Sequence, residues 1–157
     1  MGASLVKILL AVDGSDDGQR AADAAAAVFG QHPDVNFVVV FVEEPHQYER
    51  AMAVAVGAGP SAFHTPEWVE EIAELARTEP LRIANRALRR IQDAGLKGEI
   101  RLASGQAAEE ILKVAEAEKV DVIVMGRRGI HAITRLILGS VSNAVLEKAR
   151  VPVLIVP

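Results

Sequence analysis

The sequence has no cysteine, and only one tryptophan and one tyrosine among its 157 residues. Without cysteine there is no disulfide framework, no thiolate nucleophile and no zinc–thiolate site, and the usage fits a reducing compartment. So few aromatic side chains leave little on which to stack bases. Seventeen Lys and Arg against twenty-one Asp and Glu give a formal net charge of −4, and the basic residues are scattered. A basic face of the kind that tracks a phosphate backbone is therefore missing, which argues against nucleic-acid binding. No apolar run approaches the ~20 residues of a membrane span, and the start of the sequence lacks a signal-type charged segment and cleavage site. A cytoplasmic protein without membrane insertion is expected. His131 has no second histidine or carboxylate at metal spacing, and His32, His46 and His64 are scattered, so no metal site of the protein's own is expected.

What is present is apolar: half of the residues, enough for the core of one domain over 1–157 with no room for a second. Strand-length apolar runs alternate with longer stretches of helical period, the pattern of βαβ units feeding a parallel sheet. Lys7 to Val12 and Asn36 to Val42 are near-continuous apolar runs, as strands covered on both faces require. Shorter strands are predicted at Glu99 to Leu102, Val120 to Met125 and Val151 to Val156. Pro152, which cannot donate to a ladder, puts the last of them at a sheet edge.

Helix signals fill the intervals. Ser15 or Asp16 caps an alanine-rich helix from Asp17 to Phe29 that Gly30 ends. Thr65-Pro66 opens a second helix running to about Ala94, which Pro80 is expected to kink or split. Further helices are predicted at Gln106 to Lys119 and Ser140 to Ala149. The segment 46–64, rich in Ala, Val, Gly and Pro, has no clean period and suggests a mobile excursion; Ala51 to Val56 within it fits a short helix. The resulting fold class is a single doubly wound five-stranded parallel sheet with helices on both faces, for which 3-2-1-4-5 is an order that the alternation allows. In that order strands one and four straddle the switch point, where such sheets bind ligands.

The chemistry concentrates after the fourth strand. Gly126-Arg127-Arg128-Gly129 is followed by nine residues and then Gly139-Ser140, at a predicted helix start. Glycines let a backbone approach a ligand, and the unpaired N–H groups of a helix's first turn attract an anion. Gly129, Gly139, Ser140, Val141 and Ser142 are candidate donors from main chain and hydroxyls. Ser140 alternatively serves as a simple N-cap, and Asp13 as a simple turn residue.

Ala11-Val12-Asp13-Gly14-Ser15, Gly105-x-x-Ala108-Glu109-Glu110-Ile111 and Met125-Gly126-x-x-Gly129-x9-Gly139-Ser140 together resemble the universal stress protein family, in its ATP-binding branch, over essentially the whole chain. The resemblance implies a Rossmann-like fold binding ATP, or AMP or ADP, possibly with Mg2+ on the phosphates. It implies that Ala11, Val12 and Asp13 line the adenine and ribose side and that the Val42 main chain reads the adenine edge. Met125, Gly126 and Gly129 would approach ribose and phosphates, with Gly139, Ser140 and Val141 holding the phosphates. Arg127 and Arg128 depart from the small, polar or histidine residues common in relatives; they add phosphate affinity or point into solvent. The resemblance also implies a homodimer through the strand Val151 to Val156, in stress-related regulation with a protein partner. No catalytic residue stands out: there is no Walker lysine, and slow hydrolysis, autophosphorylation at Ser140 or Ser142, or a dimeric interaction module with a vestigial site remain the alternatives.

Overall fold

In the computed structural model, which describes residues 5–32, 34–50, 65–129 and 138–157, the first apolar run is strand β1, Val6–Val12. It lies at the centre of a five-stranded sheet, between β2 (Val35–Glu43) and β4 (Val122–Gly126), with β3 (Lys97–Ser104) and β5 (Val153–Val156) at the edges. All pairings are parallel; Leu10 stands opposite Val39 on one side and Val124 on the other. The order β3-β2-β1-β4-β5 is the one expected.

Alternate residues of each strand enter two cores. Ile8, Leu10, Phe37, Val39 and Val124 face α1 (Asp16–Phe29) and α2 (Pro66–Asp93), which contribute Ala21, Ala22, Ala25, Ile83, Ala84, Ala87 and Ile91. Leu9, Ala11, Val38, Val40, Ile123 and Met125 face α3 (Ala107–Glu118) and α4 (Ser140–Lys148), through Ile111, Ala115 and Val145. Burial on both faces is what makes the strands continuous apolar runs.

Local sequence sets the helix ends. The Ser15 side chain accepts the Gly18 N–H and caps α1, and the Thr65 side chain accepts the Trp68 N–H and caps α2, with Pro66 in the first turn. Pro80 does not split α2. It is buried within one continuous helix, and the residues that anchor α2 to the sheet, Ile83, Ala84, Ala87 and Ile91, all follow it. The edge strands differ from expectation in length. β3 is longer, pairing with β2 from Asn36↔Lys97 to Glu43↔Ser104; as an edge strand it is only partly buried, so its ends carry no apolar signal. β5 begins at Val153 because Pro152 has no N–H to give, although its carbonyl still accepts the Ile123 N–H at 3.0 Å. The stretch 51–64, including the helix expected at Ala51 to Val56, and residues 130–137, including His131, lie outside the described residues. Among those described, no helix is long and apolar enough to cross a membrane.

Candidate functional site

At the carboxyl ends of β1 and β4, where the strand order reverses, a cleft of about 240 Å3 opens. Its floor is apolar: Ala11, Val12, Val40, Val42, Met125 and Ile111. Asp13, Gly126, Arg128, Gly129, Gly139, Ser140, Val141 and Ser142 also line it. The structure thus brings together every candidate residue except Arg127, whose side chain is not part of the lining.

Asp13 serves the turn and also faces the cleft. Its Oδ1 accepts the Ser15 N–H (3.0 Å) and the Ser15 hydroxyl (2.6 Å), and that hydroxyl oxygen in turn accepts the Gly18 N–H at 3.1 Å. A carboxylate following a buried strand is in this way fixed by the cap of the next helix. Gly14, with φ +88, permits the turn, and it lies directly under Ile83. Val42 stands one residue past the end of the β1–β2 ladder, whose last pair is Val12↔Phe41.

The glycines have separate reasons to be glycine. A Cβ on Gly126 would lie 2.6 Å from the Asp17 carbonyl carbon and 2.8 Å from its oxygen, so Gly126 lets the first turn of α1 sit on the end of β4. A Cβ on Gly129 would lie 2.5 Å from Asp13 Oδ2, across the cleft mouth. Gly139 is the N-cap of α4 and sits against the backbone of Arg127 and Arg128; its N–H donates to the Arg127 carbonyl at 2.9 Å.

Two expectations about α4 are corrected. Ser140 is the first helical residue, not the cap. The Ser142 hydroxyl, buried, donates to the Gly126 carbonyl at 2.9 Å and is committed to holding α4 on β4. What remains at this helix end is main chain. With glycine as N-cap there is no side-chain cap bond from that residue, and the first-turn N–H groups open beside Gly129, unlike α1 and α2, whose caps are Ser15 and Thr65.

The two arginines part company. Arg127 works through its backbone, its N–H donating to Val156 at 2.8 Å and its carbonyl accepting from Gly139. Arg128 faces the cleft, and its Nε lies 3.2 Å from Oδ2 of the buried Asp17.

Sequence reasoning missed Gly18, Val40, Glu44, Gln47, Ala107 and Ile111 as lining residues. Val40 shares the face of Val42 by strand alternation, and Ile111 lies on the inward stripe of α3, so both were within reach. Glu44 and Gln47 carried no signal: the Gln47 carbonyl oxygen accepts the Glu44 N–H at 3.1 Å, and a Glu44 carboxylate oxygen accepts the Ala107 N–H at 3.3 Å. Among the described residues, no group of three or more His, Asp or Glu is placed to hold a metal ion.

Known proteins share this architecture. The universal stress protein YxiE of Bacillus subtilis is 32% identical over 151 residues, 96% of this chain and 97% of the relative. The solved structure of the protein MJ0577, from Methanocaldococcus jannaschii, superposes with a TM-score of 0.72 at 25% identity, covering 98% of this chain and 96% of that one. A universal stress protein of Archaeoglobus fulgidus, solved in complex with dAMP, has a TM-score of 0.60 at 22% identity and covers 98% of each chain, a likeness of fold. Residues 6–157 match the universal stress protein family, and on that match, together with the relative aligned end to end, the chain belongs to that family.

Proposed function

We propose that the cleft binds an adenine nucleotide and that the protein works as a regulatory dimer that senses or relays nucleotide level, with slow or no turnover. The observation that carries this is the start of α4: a helix N-terminus whose N-cap is glycine and supplies no side-chain cap bond, beside Gly129 and above an apolar floor. An apolar floor suits a flat base, and convergent N–H groups suit a phosphate. The dAMP complex of the Archaeoglobus fulgidus relative supports the choice of an adenine ligand. Ala11, Val12 and Val42 would bound the base and ribose, with Gly129, Gly139, Ser140 and Val141 toward the phosphates. ATP, ADP and AMP all suit this arrangement, and any Mg2+ would travel on the phosphates of a polyphosphate ligand.

Neither lysine nor histidine lines the described cleft, and the carboxylates there, Asp13 and Glu44, accept main-chain N–H groups. The half-buried apolar side chains of the edge strand β5, Val153, Leu154 and Ile155, support pairing with a second copy.

The test is to purify the protein without added nucleotide, denature it, identify any released small molecule by mass spectrometry, and titrate ATP, ADP and AMP by calorimetry. Recovered adenine nucleotide, or a micromolar Kd equivalent to about −8 kcal/mol, is the expected result. No ligand and no heat would overturn nucleotide binding and leave the dimeric interaction module.

A further inference from the structure

The described lining of the cleft carries one cation, Arg128, against two carboxylates, Asp13 and Glu44. That cation is not free. Its Nε lies 3.2 Å from Asp17 Oδ2, and Arg128 and Asp17 are both largely buried, with side chains 17% and 9% exposed. Asp17 is itself fixed. It belongs to the first turn of α1, its backbone lies against Gly126 where a Cβ would not fit, and its other carboxylate oxygen pairs with Arg20. Arg20 is held in turn, its Nε donating to the Pro157 carbonyl at 3.1 Å. Asp17 therefore cannot follow Arg128 if the guanidinium swings toward a ligand.

We propose that Asp17 is a specificity-determining residue that restrains and neutralises Arg128, so that the cleft discriminates against ligands with several phosphates. This rests on the nucleotide reading of the cleft. A phosphate at the α4 N-terminus meets main-chain dipoles, which serve one anionic group well. Each further phosphate adds negative charge to a cleft already lined by Asp13 and Glu44, and among the described cations would need Arg128 to break with a buried carboxylate that cannot move along with it. The metal-free ligand the cleft prefers is a nucleoside monophosphate or a similarly low-charge adenine compound. Asp17 does not touch the ligand; it acts through Arg128.

The experiment is calorimetric titration of adenosine, AMP and ATP, in EDTA, into the wild-type protein and the Asp17→Asn, Arg128→Gln and doubly substituted variants. Asp17→Asn keeps the shape and an acceptor while removing the charge. It is expected to tighten ATP by about tenfold and leave adenosine unchanged, since an unmasked guanidinium in a partly buried cleft is worth at least that to a polyphosphate. A merely structural loss would weaken all three ligands together. The doubly substituted variant, which like the wild type carries no net charge at this pair, should bind ATP within about twofold of the wild type, because the gain runs through Arg128.

Weaker or unchanged ATP binding in Asp17→Asn overturns the proposal, as does a tenfold gain over wild type in the doubly substituted variant. If Asp17→Asn fails to fold, the doubly substituted variant decides: ATP affinity within about twofold of wild type supports a restrained guanidinium, and a tenfold loss shows one already engaged with phosphates. Absence of wild-type binding to adenosine, AMP and ATP alike defeats the nucleotide reading and this proposal together. Wild-type binding without the Asp17→Asn gain defeats this proposal alone.

Discussion

The hydroxyl of Ser142 and the carbonyl of Gly126, sixteen residues apart, form a 2.9 Å hydrogen bond that ties the first turn of α4 to the end of β4. It is buried, and it lies directly behind the cleft. Ser142→Ala leaves a carbonyl without its partner, so a loss of about 1–3 kcal/mol of unfolding free energy is expected. Urea denaturation measures it. Nucleotide affinity should fall only through displacement of α4; loss of binding at unchanged stability would show the hydroxyl touching ligand.

Gly126 and Gly129 should fail in different ways. Alanine at 126 meets the backbone of Asp17, which cannot rotate away, so α1 must lift from β4 at a cost of about 1–3 kcal/mol. Alanine at 129 meets the Oδ2 tip of the Asp13 side chain rather than backbone, and a small shift of the loop relieves it with the Oδ1 bonds to Ser15 kept. Thermal melts should separate Gly126→Ala from wild type and leave Gly129→Ala near it. Adenine-nucleotide titration should show Gly129→Ala weakened by about tenfold, or ~1.4 kcal/mol. Unaltered affinity in that variant would place the ligand elsewhere.

Acid should release a cross-tie at the opposite end of the sheet. Glu118 accepts from Lys7 Nζ at 2.8 Å and from Arg101 Nε at 2.6 Å, joining α3 to β1 and β3. Those hydrogen bonds, Lys7 first and Arg101 second, hold its carboxyl below the ordinary glutamate range. A depressed folded-state pKa means stability that is present above the unfolded value and lost as pH falls through the folded one. Urea midpoints measured from pH 7 down to pH 3 should therefore show a decline that is shallower in Glu118→Gln. Parallel declines would assign the acid sensitivity to other carboxylates.

Dimerisation through β5 predicts a mass near twice that of the chain in light scattering at micromolar concentration, falling on dilution. A monomer throughout that range would count against the edge-strand arrangement.

Much of this was legible in advance, for identifiable reasons. β1 and β2 are buried on both faces, so their positions had to be written as unbroken apolar runs. Ser15 and Thr65 advertise helix starts because a cap needs a short side-chain acceptor at that place. The strand order was supposed rather than derived, since the crossover rule fixes handedness and not order; given the order, the place of the cleft followed. What escaped depends on pairs far apart in the chain. That Gly126 accommodates Asp17, that Ser142 turns inward, and that Asp17 takes hold of Arg128 across 111 residues are facts of juxtaposition. Pro80 does not end the helix for a different reason: one missing N–H costs less than the burial of Ile83, Ala84, Ala87 and Ile91 returns.

Arg127 was singled out for its charge, yet its peptide groups are what connect the molecule. Its N–H is bonded to Val156 at the end of β5, and its carbonyl to the N–H of Gly139 at the start of α4. A single residue thus spans the edge strand and the helix end that faces the cleft, through two peptide groups that any substitution short of proline keeps. Strand β5 and the α4 cap are therefore joined through one residue, with no segment between them.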